Sequence, residues 1–294
     1  MTFLALLYVT LLLGPPVGDV PVRYRSLVPH GRLSTFTVLP GETVTLEGAA
    51  RSKAGRLVPL ADGRFEWTAP SIPGFYPIQV MDPNQRDSVT LQVFVMVPYA
   101  QLRGEYVNGY RIGRYPARAL RGLAIYAPPV GFVEVTAANQ DVLVSPHFRL
   151  KQFLCKQAGG YPKYVVLDER LLQKLEYLLE HANAAGYRAS TFHVMSGYRT
   201  PAYNLSLGNV PYSRHTWGAA ADIFIDEDGD GRMDDLNRDG ISDVRDAEVL
   251  FSVFESATNA PALQGLIGGM GKYRPTRAHG PFVHVDVRDR KARW

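Results

Sequence analysis

Three short stretches of this 294-residue chain carry side chains suited to hydrolytic chemistry. The first is Ser196-Gly-Tyr-Arg-Thr-Pro-Ala-Tyr-Asn204, with Arg199 at its centre. The second is Ser213-Arg-His215-Thr-Trp-Gly218-Ala-Ala220-Ala-Asp222. The third joins Gly268-Gly-Met-Gly271-Lys-Tyr273 to His279-Gly-Pro-Phe-Val-His284-Val-Asp286-Val-Arg288. Histidine and carboxylate are good zinc ligands, and a hydrolytic zinc keeps one position open for water. His215, Asp222 and His284 supply three ligands and leave that fourth place free. The small residues 218–221 let the backbone between the first two ligands pass close to another element. A lone histidine on a strand is usually structural; three such stretches in one chain are much harder to read that way.

Asp226-Glu-Asp228-Gly-Asp230-Gly231 and the residues that follow, to Asp246, form an insertion dense in oxygen ligands. Asp235, Asn237, Asp239, Gly240, Asp243 and Asp246 fall at positions 1, 3, 5, 6, 9 and 12 of a calcium loop, with Asp in place of the usual last Glu. Asp226, Asp228, Asp230 and Gly231 begin a second, less complete loop. Calcium is therefore a candidate second cation, since crowded carboxylates without one repel.

The motifs in the first, second and third stretches resemble the peptidase M15 family, the zinc D-Ala-D-Ala carboxypeptidases and related murein peptidases, in the branch with a His-Val-Asp motif. The likeness spans roughly residues 142–294. It is carried by His215-x-x-Gly218-x-Ala220-x-Asp222, by Phe282-Val-His284-Val-Asp286 and by the Ser-Gly-Tyr-Arg-Thr-Pro-x-Tyr-Asn stretch. The resemblance implies an α+β fold with a small antiparallel sheet and packed helices. It implies zinc held by His215, Asp222 and His284, and hydrolysis of peptide bonds in peptidoglycan stem peptides or cross-links. It also implies that Arg199 binds a substrate carboxylate or an oxyanion, and that Ser213 and Tyr273 contact substrate.

One departure bears on mechanism. Several branches of the family place an acidic general base three residues before the last zinc histidine, where this chain has Pro281. Asp286 is the favoured replacement. It lies two residues after His284, and strand side chains return to one face every second residue. It could carry protons or fix the imidazole. His279, in the loop before the strand, is the rival base, because histidine titrates near neutrality. The alternative is a catalytically inactive cell-wall-binding protein that keeps the zinc fold; a calcium-dependent adhesin using the N-terminal part is a third class.

The elements that must position these residues follow from texture. Residues 142–294 hold a helical repeat at Leu171, Leu172, Leu175, Leu178 and Leu179, with Gly186 as its stop, and strands at 191–195, 223–225 and 282–287. Residues 19–100 are short strands punctuated by Pro, Gly and Asn, including a polar turn at 82–87, and predict a small all-β sandwich of immunoglobulin-like type. Residues 101–141, rich in Tyr, Gly, Arg and Pro, read as a connector whose Arg111 and Arg114 either pack the domains or meet an anionic wall. Met1–Gly14 is almost wholly apolar and too short to span a bilayer, so residues 1–18 read as an export signal or N-terminal anchor, with the protein exported to the periplasm or cell envelope. No other segment is apolar enough to cross a membrane.

A net charge of +4 suits a polyanionic wall, and no Lys/Arg cluster has the density of a nucleic-acid groove. The single cysteine, Cys155, excludes an internal disulfide and a thiolate metal cluster, and reads as a buried small hydrophobe.

Overall fold

The computed structural model describes residues 9–12, 33–47, 49–61, 63–81 and 88–294. It is an α+β protein with several small sheets and few helices. The chain divides into two compact units. The first comprises Met1–Gln101, Val130–Glu134 and Leu143–Pro146; the second comprises Leu102–Pro129, Val135–Val142 and His147–Trp294.

The first unit is all β over its described strands. Strands Leu33–Val38, Ser88–Val95, Ile78–Met81 and Ala49–Ser52 form one sheet, in which the first two run parallel. Strands Thr43–Glu47, Arg64–Thr68 and Arg56–Pro59 form the other. Alternation along these strands sends Phe36, Val44, Trp67, Ile78 and Val93 into one apolar cluster shared by both sheets. The Pro40-Gly41 turn does not close a hairpin. Gly41 takes φ 75° and Glu42 N–H bonds the Leu39 carbonyl at 3.2 Å, so the chain reverses and leaves one sheet for the other.

Of the segment read as an export signal, Val9–Leu12 is a strand antiparallel to the strand at 43–46. The rest of 1–18, and the polar turn at 82–87, lie outside the described residues. Among the described residues, no helix is long and apolar enough to cross a membrane.

The second unit is built on a five-stranded sheet in the order His193–Ser196, Ala220–Phe224, Phe282–Asp286, Gly269–Tyr273, Ala292–Arg293. The first four are antiparallel neighbours and the last is parallel. Every residue of Ala220–Phe224 and Phe282–Asp286 is buried, so these central strands are covered on both faces. Helix Val244–Ala257 packs on Gly269–Tyr273 and Phe282–Asp286, and helix Glu169–Ala184 packs beside it. The latter starts at Asp168, whose carboxylate accepts from Arg170 N–H at 3.0 Å. It buries the five expected leucines, and Gly186 (φ 99°) lies just beyond its end. Cys155 is buried, with its sulfur accepting from Thr200 N–H at 3.5 Å.

The segment 101–141 is not a free connector. Most of it belongs to the second unit, and its backbone carbonyls hold the motif loops. Ile112 accepts from Ala202 N–H at 3.0 Å, and Ala127 from the Trp217 indole at 2.7 Å. Tyr115 donates its hydroxyl to the Thr216 carbonyl at 2.8 Å. The Tyr/Gly/Pro-rich composition thus reflects irregular backbone wrapped against a core, where periodicity carries no signal. Arg111 and Arg114 are exposed and pair with Glu105.

Candidate metal centre

His215 sits in the single turn Arg214–Trp217, which begins at Ser213 and ends at Gly218. Gly218 adopts φ 61°, ψ 19°, a left-handed conformation that reverses the chain into strand Ala220–Phe224. A Cβ there would lie 1.9 Å from the Val166 carbonyl oxygen. The turn between the first two ligands therefore depends on glycine twice over. Gly218→Ala is expected to lower stability by about 2–5 kcal/mol, combining left-handed strain with overpacking. Urea unfolding measures it, and a loss under 1 kcal/mol would mean the loop relaxes freely.

Asp222 occupies the middle of its strand and is paired across the ladder with His284. Directly opposed residues present their side chains on the same face, which brings two ligands 62 positions apart into contact. Asp222 Oδ1 lies 2.8 Å from His284 Nδ1 and 3.3 Å from His215 Nε2. The three side chains are buried, and one ligand atom from each lies within 4.8 Å of the others. They form a group able to hold a metal ion.

Each imidazole is fixed from behind. His215 Nδ1 is 2.7 Å from the Gly197 carbonyl, which assigns the proton to Nδ1 and turns the Nε2 lone pair toward Asp222. His284 Nε2 is 3.1 Å from Asp286 Oδ2, so its Nδ1 faces the group. Partners of this kind orient ligand histidines and raise their basicity. The donor set, two oriented imidazoles and one carboxylate in a buried setting, fits a divalent metal of borderline softness.

The electrostatics are those of a carboxylate buried between two imidazoles. Burial would raise Asp222, but His215 and His284 outweigh it and hold the carboxyl well below its usual range. Burial pushes His215 down against the pull of Asp222. For His284, burial is overcome by carboxylates on both sides, Asp222 and Asp286, and the group is raised. Asp222 is thus ionised, the state in which a carboxylate ligates.

The other expected site residues fall as follows. Arg199 donates through Nη2 to Asp222 Oδ2 and through Nε to Ser196 Oγ at 2.8 Å. It orients the ligand carboxylate, and the rest of its fork makes no hydrogen bond to the described residues. Ser213 caps the His215 turn through its backbone, its carbonyl accepting from Thr216 N–H at 3.0 Å; its hydroxyl bonds none of the described residues. Tyr273 stacks on Phe282 with ring centroids 4.5 Å apart, and its hydroxyl accepts from the Trp294 indole. His279 lies in the loop before the ligand strand, with Nδ1 2.8 Å from the Gly280 carbonyl and its ring edge-on to Phe282; it makes no hydrogen bond to the triad.

Asp286 reaches the triad, as its two-residue spacing from His284 predicts, but on the far side of that imidazole. It is fully buried, accepts from Gly269 N–H at 2.8 Å and pairs with Arg288. Burial opposes its ionisation, yet His284 and Arg288 hold it far below the usual carboxylate range. A buried carboxylate hydrogen-bonded behind an imidazole fixes the orientation of that ring. Of the two roles open to Asp286, proton carrier and partner of the ligand imidazole, this position is the one a partner takes.

Among the described residues, Asp235, Asp239, Asp243 and Asp246 supply no three carboxylates within 4.8 Å of one another. Asp235 accepts from Asp239 and Gly240 N–H, Asn237 accepts from Asp239 N–H, and Asp239 and Asp243 pair with Arg245. Asp246 is buried and accepts from the N–H groups of Leu236, Asn237 and Asp243, capping helix Val244–Ala257. The carboxylates that do converge are Asp226, Asp228 and Asp234.

Two participants escaped the sequence reading. Ser196 anchors Arg199, and Trp294 packs its ring 5.3 Å from that of His284. The signal for Trp294 was the pair Gly269 and Gly271, since glycine inside a strand marks close approach of another group. No family model, curated protein or solved structure matches this chain.

Proposed function

We propose that this protein is a zinc-dependent peptidase of the M15 type, cutting peptide bonds in the stem peptides or cross-links of bacterial peptidoglycan. The observation that carries the reading is the buried His215–Asp222–His284 group, with both imidazoles fixed from behind and three protein ligands among the described residues. Zinc in that group would supply a Lewis acid that polarises a peptide carbonyl and makes water a nucleophile near neutral pH. The chain's own residues do the rest. Asp222, held ionised, is shared between the imidazoles and Arg199. The remaining Arg199 donors suit a substrate carboxylate or developing oxyanion, because the guanidinium fork is rigid and permanently charged. The half-buried Ser213 hydroxyl, beside the first ligand, is a further donor for a substrate carbonyl. The wall substrate places the protein outside the cytoplasmic membrane, in keeping with the apolar run at Met1–Gly14.

Incubating zinc-loaded protein with defined muropeptides and weighing the products tests the activity and identifies the bond. A second reading, an inactive wall-binding protein, is favoured by one observation: Pro281 replaces the expected acid and Asp286 is committed behind His284. Wall binding without any product would select it.

Asp286→Asn separates the two roles of that residue. The expected result is a loss of about 10–100-fold in zinc affinity, with turnover recovered at saturating zinc, because a carboxylate behind a ligand histidine tunes the ligand. Zinc titration against a competing chelator measures it. Dead enzyme with unchanged zinc affinity would return Asp286 to the base role, and His279→Gln, expected to leave zinc content unchanged, is the companion control.

A further inference from the structure

Trp294 is a large aromatic side chain left 44 % exposed beside a buried metal-binding group. Its position is built, not incidental. Strand Ala292–Arg293 adds in parallel to the edge of Gly269–Tyr273, and Trp294 N–H continues the pairing to the Met270 carbonyl at 3.3 Å. The indole then lies across Gly269 and Gly271. A Cβ at Gly269 would come within 2.9 Å of Cη2 and Cζ3, and one at Gly271 within 2.4 Å of Nε1. Two glycines two residues apart clear one face of the strand, and the ring fills the space. Glycine weakens a strand interior, so this trough has a cost in stability that the seated indole explains.

That face is the site's face. Gly271 is paired with His284 across the ladder, so the trough runs alongside the ligand histidine. The indole centroid is 5.3 Å from the His284 ring, the Arg288 guanidinium sits 5.0 Å from the indole, and Nε1 donates to the Tyr273 hydroxyl at 2.5 Å. The ring is thus held on its strand while much of its surface stays open.

We infer that Trp294 is the apolar wall of the substrate site, packing against the aliphatic side of the stem-peptide residue next to the bond held at the metal. The indole lies 5.3 Å from the His284 ring, and an extended chain advances about 3.3–3.6 Å per residue, so a peptide held at the metal-binding group has residues close enough to reach the indole. A rigid indole offers large contact area at that point, together with a polar edge already satisfied by Tyr273. The inference rests on the peptidase reading for the identity of its ligand.

The test uses the zinc-loaded full chain and a cross-linked muropeptide dimer with one pentapeptide stem, which contains every candidate bond. Trp67 and Trp217 are buried, so acrylamide quenching of tryptophan fluorescence reports chiefly on Trp294, and Trp294→Phe calibrates that component. The dimer is expected to shield Trp294 from acrylamide. Trp294→Ala is expected to keep full zinc content and near-normal kcat while KM rises about tenfold, the mark of uniform binding through an aromatic contact; Trp294→Phe recovers most of it. A dimer that is cleaved while acrylamide reaches Trp294 unhindered overturns the wall and leaves the peptidase reading intact. A dimer left uncut that still shields Trp294 sinks the peptidase reading and upholds the wall. Neither cleavage nor shielding sinks both. Loss of zinc from Trp294→Ala would make the residue a support for His284 and overturn the assignment.

Discussion

Purified His215→Ala protein is expected to contain almost no zinc and to show no peptidase activity. The argument is geometric. His215 Nε2 is one of three ligand atoms that converge, and its ring is held in place by the Gly197 carbonyl at 2.7 Å. Loss of a partner behind a ligand costs about 10–100-fold in metal affinity, and loss of the ligand itself must exceed that, to at least the order of 10²-fold. The substitution also leaves Asp222 less well compensated, since His215 is the foremost group holding its carboxyl ionised. Metal analysis after gel filtration, with circular dichroism to establish folding, reads the result. A folded variant with full zinc would remove His215 from the metal centre and with it the proposed chemistry. Variants of Asp222 and His284 are expected to fail in the same way.

Arg199→Lys is expected to fold, retain zinc and lose on the order of 10²–10³-fold in kcat, the scale of removing one preorganised oxyanion donor. Lysine keeps the charge but not the fork. Arg199 uses one edge to bond Ser196 Oγ and Asp222 Oδ2 simultaneously, which a single ammonium cannot reproduce while also presenting donors to substrate. Steady-state kinetics on the muropeptide dimer, paired with zinc analysis, measures the effect. A drop in kcat with zinc unchanged supports transition-state contact. Unchanged kcat/KM would leave Arg199 with only its role in orienting Asp222, and loss of zinc would show that this orienting role dominates.

The local signals in the sequence reached a long way because the candidate metal-binding residues lie in short motifs. Three ligands of the right type, a glycine-and-alanine run between the first two, and the i, i+2 relation of His284 to Asp286 are all legible without coordinates. So are the helix at Glu169–Ala184, read from its leucine spacing and ended by Gly186, and the α+β class. Period and residue type are properties of a few adjacent residues, and a sequence displays them directly.

What the sequence could not decide depends on which element lies beside which. Only the ladder places Asp222 opposite His284 and so brings distant ligands onto one face. Only the sheet shows that the Asp286 carboxylate lies behind the imidazole, shared with Arg288 and the Gly269 N–H. The acidic loop presents calcium-loop spacing, and only the structure shows its carboxylates accepting from loop N–H groups and pairing with Arg245. The stretch 101–141 lacked any periodic pattern, so its role in bracing the motif loops emerged only from the carbonyls it offers to Ala202 and Trp217. Composition and spacing determine which chemistry the chain can do; the register of strands far apart in sequence decides which atoms meet, because cross-strand pairing is fixed by burial and hydrogen bonding over the whole sheet.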